Sequence, residues 1–186
     1  EINGISHFIE HLFFKGTKNR PTTEQIVEPL DNIGSEHNAF TSGEITGYWV
    51  KSASNNFSLV LDIVSDMVIN PIFNPEEIEK ERKVILEEIK MINDIPQRKV
   101  VGNWGKLVYG NQPAGWPVSG TEKTMKSITR KTLVNYKKKH YVGSNIVVVA
   151  AGDIDYGKFG EIKEKFSGIK TGKAPLKTKT RETQSR

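Results

Sequence analysis

Two histidines, His7 and His11, stand four residues apart near the start of the chain, with Glu10 immediately before the second. In a helix, positions i and i+4 share one face a turn apart. Two imidazoles so placed reach a single ion at about 2.0–2.1 Å. Glu10 lies three residues after His7 and borders the same face, where a carboxylate can hold and deprotonate a metal-bound water. Phe8, Ile9, Leu12, Phe13 and Phe14 make this helix apolar almost all round. Polar groups in such a helix are costly unless paired or metal-bound. That argues against a chance pattern on a solvated helix. The order H-x-x-E-H is the inverse of the H-E-x-x-H zinc helix.

A catalytic zinc site usually has three protein ligands and one open position. The chain contains no cysteine, so the third ligand has to be a carboxylate. A second helix, capped by Asn74 with Pro75 at its first position and running to about Asn93, supplies candidates. Ile78, Ile85, Ile89 and Ile92 form its core stripe. Glu81 and Glu88 are seven residues apart, nearly in line along the helix and about 10.5 Å from each other. Lys80, Lys83, Glu87 and Lys90 fall on other faces. Charged helix flanks are common without a metal, and spacing alone does not choose between Glu81 and Glu88. His37 and His140 have no second ligand at metal spacing and read as hairpin or surface residues. Trp104 and Trp116 read as core and loop packing.

The elements that must position these groups follow from periodicity. Helices are expected over about 4–14, from Thr22 or Thr23 to Ile33 with Gly34 as the stop, over 57–69, 74–93, 98–109, 130–140 and 155–166. Residues 36–41 and 46–53 read as strands around a Ser42-Gly43 turn, and 110–120 as a Gly- and Pro-rich loop. The run Ile146-Val147-Val148-Val149 predicts a central strand over 145–151. The expected fold class is α+β, an antiparallel sheet of three or four strands covered by helices.

Composition narrows the function classes. At 186 residues with 36% hydrophobic and 26% charged side chains, the chain suits one soluble globular domain. No apolar run approaches the roughly 20 residues of a membrane span, no signal peptide is visible, and the compartment stays open. The net charge of +5 lies in the tail: residues 170–186 hold six Lys or Arg against one Glu, leaving 21 basic and 21 acidic residues elsewhere. A metal-binding domain over 1–169 and a basic linker or disordered tail over 170–186 follow. Nucleic-acid binding is not expected, because no basic stripe with interleaved aromatics is present.

Several blocks in one order resemble the inverzincin peptidases, the family of pitrilysin, insulysin and mitochondrial processing peptidase. Residues 3–12 with Phe14-Lys15-Gly16-Thr17 look like the family's metal helix and its exit. Asn38-Ala39-Phe40-Thr41-Ser42 with Tyr48 looks like its hairpin, residues 81–89 like its second metal helix, and residues 115–121 and 141–153 like its closing loop and strand. The resemblance implies Zn2+ held by His7, His11 and Glu88, and Glu10 as general base on the zinc-bound water. It implies Glu81 as a carboxylate orienting a histidine, and a strand of Asn38, Ala39, Phe40 and Thr41 that pairs with an extended peptide substrate. The implied activity is a zinc endopeptidase cleaving extended or unfolded peptides.

Family members resemble a clam shell of two related halves, each beginning with strands upstream of the metal helix. This chain opens almost on that helix, so it looks like one N-terminal half with its first strands missing, and the second half's Arg and Tyr have no counterpart. Self-association or a second-half subunit is the implied partner. The alternative is a non-catalytic subunit or scaffold of the same fold that needs a second half for activity. S-ribosylhomocysteine lyase carries a similar helix but uses a Cys ligand, which this chain lacks.

Overall fold

The computed structural model describes residues 2–181. Its centre is α1 (Ile5–Phe13), whose Phe8, Ile9, Leu12 and Phe13 are fully buried. Gly4 precedes the helix with φ 87°, where a Cβ would lie 2.7 Å from the Cα of Gly120. Only glycine tolerates both that conformation and that approach. The start of α1 is thereby pressed against the loop before α6 (Glu122–Ser127).

The remaining elements are laid around α1. Thr22 and Gln25 form a capping box at the start of α2 (Thr23–Asn32). Strands β1 (Glu36–Thr41) and β2 (Thr46–Lys51) pair antiparallel, with Ala39 opposite Tyr48. They are followed by α3 (Phe57–Ile69) and by α4 (Pro75–Asp94), where Asn74 accepts from the Glu76 N–H at 2.9 Å. Ile95 then turns extended, because the residue before a proline is pushed from the helical region. Pro96 opens α5 (Pro96–Tyr109) at once, two residues before the expected start. α7 (Arg130–His140) and α8 (Lys158–Phe166) complete the set. α1 packs on α4, α7 and both strands.

Side chains lock these contacts. Arg82 of α4 donates to the carbonyls of Met125 and Ile128, the latter at 2.8 Å, and lies over the Phe8 ring. Asp66, buried on α3, accepts from Thr17 Oγ1, Asn19 Nδ2, Arg20 Nη1 and Asn70 Nδ2 at 2.5–2.9 Å. A buried carboxylate is tolerable when its lone pairs are used in this way.

The fold is helix-rich with an antiparallel sheet, as the periodicity predicts, but that sheet has two strands among the described residues. The run 145–151 is not a strand. Val147 and Val149 are 86% and 81% exposed. A strand exists only through hydrogen bonds to a neighbour, and no strand lies beside this run among the described residues. α6 was not expected; a six-residue helix is too short to show periodicity, although Thr121 and Thr124 form its capping box. Trp104 is 66% exposed, so the core reading of that residue does not hold. In the tail, Lys170 and Gly172 accept through their carbonyls from the Gly143 N–H and the Ser144 hydroxyl, and Arg181 exchanges two bonds with Gln112. Residues 182–186 of the expected tail lie outside the described residues. No helix among the described residues is long and apolar enough to cross a membrane.

Candidate metal centre

Burial of the Phe8–Ile9–Leu12–Phe13 faces leaves one side of α1 for polar atoms, and that side meets α4. There His7 Nε2 and His11 Nε2 stand 3.3 Å apart. Glu88 Oε2 of α4 lies 3.6 Å from the first and 3.7 Å from the second. Nitrogen and oxygen ligands about 2.0–2.1 Å from a tetrahedral ion are separated by about 3.4 Å from one another. The three edges fit such an ion. Among the described residues, no other group of three His, Asp or Glu side chains converges in this way.

The proton inventory agrees. Glu81 Oε2 accepts from His11 Nδ1 at 3.0 Å, which puts the proton on Nδ1 and leaves the Nε2 lone pair facing His7 and Glu88. Glu81 is itself buried and also paired with Lys15 Nζ at 2.9 Å. Burial alone would raise its pKa, but the hydrogen bonds from His11 and Lys15 outweigh that and hold it below the usual carboxylate range. His7 is pushed down, first by burial and then by His11 beside it, so its ring favours the neutral, metal-binding form. Its Nδ1 is buried with no hydrogen-bond partner among the described residues.

Glu10 sits on the rim of this group, and its Oε2 accepts from the Thr41 hydroxyl at the end of β1. Tyr48 and Tyr141 share a hydroxyl contact of 3.4 Å nearby. Burial pushes the Tyr141 phenol up to about 12, and Tyr48 also upwards, so both stay neutral beside the carboxylate. The four residues expected to meet a peptide are all on β1, whose second edge carries no strand among the described residues. Asn38 and Phe40 face outwards, while Ala39 and Thr41 face inwards. The Ala39 N–H is bonded to Asn38 Oδ1 at 2.8 Å, so an incoming chain would compete with that contact.

One site residue escaped the sequence reading, and a second was given a different role. Lys15 is four residues after His11, a spacing that put it within reach of any partner of that histidine. Thr41 is expected from the resemblance to meet the substrate, not to hold Glu10; thirty-one residues separate the two, and no local pattern links them. His140 stacks on Tyr136 at 3.8 Å instead of approaching the metal-type cluster.

Comparison with known proteins now decides the family. Residues 1–122 match the family model described as insulinase, peptidase family M16, and residues 127–186 match the M16 inactive domain model. The chain belongs to the M16 peptidase family. Its M16 relatives include an uncharacterised zinc protease, YmxG, of Bacillus subtilis, 39% identical over 94% of this chain and 42% of that protein. The beta subunit of mitochondrial-processing peptidase from Saccharomyces cerevisiae is 38% identical over 89% of this chain and 36% of that protein. A protease from Helicobacter pylori superposes with a TM-score of 0.88 at 25% identity, covering 97% of this chain and 44% of that structure. The chain therefore spans about two fifths of the length of the M16 proteins it matches.

Proposed function

We propose that this chain is the metal-binding half of a zinc-dependent M16 endopeptidase that hydrolyses extended or unfolded peptides. The observation that carries this reading is the triangle of His7 Nε2, His11 Nε2 and Glu88 Oε2, with Glu10 at its rim. When bound, zinc supplies Lewis acidity that polarises a carbonyl and makes water acidic near neutral pH. His7, His11 and Glu88 hold the ion, and Glu81 keeps His11 in the tautomer that can bind it. Glu10 takes a proton from the attacking water as its oxygen bonds to the scissile carbon. The C–N bond then breaks, and Glu10 returns the proton to the leaving nitrogen. Thr41 steadies the Glu10 carboxylate through its hydroxyl, and the free edge of β1 offers main-chain groups to an extended substrate.

A second reading rests on the share of the relatives that the chain covers: a half that holds the metal but cleaves only with a second half or a second copy.

The test is hydrolysis of a quenched unfolded peptide by the zinc-loaded chain beside Glu10→Gln. Glu10→Gln is expected to keep its zinc and to lose about 10²–10⁴-fold in rate, the usual contribution of a positioned general base. Zinc binding without cleavage by either protein favours the second reading. A wild-type chain that binds no zinc overturns both.

A further inference from the structure

The helix that carries Glu88 has a second charged face. Lys83, Glu87 and Lys90 lie along one line of α4, two residues out of step with Glu81, Ile85 and Glu88. At 100° per residue the two lines are about 200° apart, on opposite sides of the helix. This face, α5 and the loop 115–121 enclose a groove of about 600 Å³ that reaches round α4 to Ile89 and Ile92 and is not lined by His7, Glu10, His11 or Glu88. α5 turns Arg98, Lys99 and Lys106 towards it and keeps Trp104 and Leu107 on its far side. The groove is open beside Gly102, where a Cβ would meet nothing within 4 Å.

The charges do not cancel. Six cations line the groove against two carboxylates. Both carboxylates are already occupied by groove lysines, Glu87 by Lys90 at 2.7 Å and Glu122 by Lys126 at 2.5 Å. Lys83, Arg98, Lys99 and Lys106 make no ion pair among the described residues; Lys99 reaches only Asn93 Oδ1. The chain outside residues 170–186 is neutral overall, so an excess of four positive charges in one concavity is a local property. A concave surface of one sign concentrates oppositely charged ligands. The lining also includes Leu86, Ile89, Ile92 and Pro117, and no aromatic side chain. Without aromatics there is nothing to stack nucleobases, whereas an apolar lining between separated cations suits a polypeptide alternating acidic and aliphatic side chains.

We propose that this groove docks an acidic segment of a polypeptide, on side chains separate from the metal cluster. As a substrate site it deepens the peptidase reading, naming acidic segments as a part of the substrate held outside the metal cluster. The binding itself does not depend on catalysis. It is tested by fluorescence anisotropy on the full chain carrying Glu10→Gln, with a labelled eight-residue peptide alternating Glu and Leu and its Lys–Leu counterpart. The acidic peptide is expected to bind about tenfold or more tightly than the basic one at low salt, and to weaken as salt screens the charges. Adding Arg98→Glu with Lys106→Glu, both exposed positions, is expected to remove that preference at unchanged zinc content. Equal binding of the two peptides, an unchanged affinity in the charge-reversed protein, or equally ready displacement by a single-stranded oligonucleotide overturns the proposal. Because the protein carries Glu10→Gln throughout, a failed cleavage assay and a failed docking assay are separate results.

Discussion

At the residue scale, the candidate metal cluster depends on which atom of each group is already taken. Glu81 spends one oxygen on His11 Nδ1 and the other on Lys15, so among the described residues it is Glu88 that offers a carboxylate oxygen to the two Nε2 atoms. Glu81→Gln is therefore expected to lower zinc affinity about 10–100-fold while the fold persists, measured by competition with a chelator. The same titration checks a pH dependence. A histidine binds metal through its neutral form, and burial with His11 alongside lowers His7 below 6.5. A lowered pKa keeps the ring neutral further into acid, so protonation of His7 should compete with zinc only below the ordinary imidazole range. In the zinc-free protein, a His7 ring whose NMR titration falls at or above the ordinary imidazole range would contradict the burial seen there. The two histidines, Glu10 and the two glutamates were legible as candidates because helical spacing alone groups them. The division of labour between Glu81 and Glu88 was not, since residues seven apart lie on the same line of a helix.

At the element scale, α1 was readable from its apolar neighbours and α4 from its Asn74–Pro75 cap, because both signals are local. What joins elements is not local. Asp66 draws together α3, the turn after α1 and the start of the next segment through four donors. Asp66→Ala leaves Arg20 and Thr17 without that partner and is expected to cost about 3 kcal/mol in urea unfolding, in line with breaking a buried ion pair. Zinc content should be unchanged in the protein that remains folded, since no metal-type ligand touches this cluster. A loss within about 0.5 kcal/mol would show the cluster to be solvated and weak. The contact between Thr41 and Glu10 belongs to the same class of joints: the hairpin was expected, but its docking against α1 had no signature in either segment.

At the scale of the whole molecule, the run Ile146–Val149 separates composition from structure. Four consecutive β-branched residues predict a central strand, yet Val147 and Val149 project from a backbone with no neighbouring strand among the described residues. Val147→Lys and Val149→Lys are expected to change the stability of this chain by no more than about 0.5 kcal/mol, as for other exposed positions. A larger loss would mean that the run is covered in solution. α5 carries its Trp104 and Leu107 outwards in the same way, against the pattern of a core helix. By itself the sequence determined the helices with strong periodicity, their caps, the hairpin and the set of side chains able to bind a metal, because those depend on neighbours within about one or two turns. Only the tertiary structure decided which glutamate faces the imidazoles, that Thr41 holds Glu10, that α4 and α5 enclose a cationic groove, and that an ideal strand sequence lacks a strand to pair with among the described residues. Each of these depends on atoms brought together from distant parts of the chain, and spacing along one segment carries no information about the element that will pack against it.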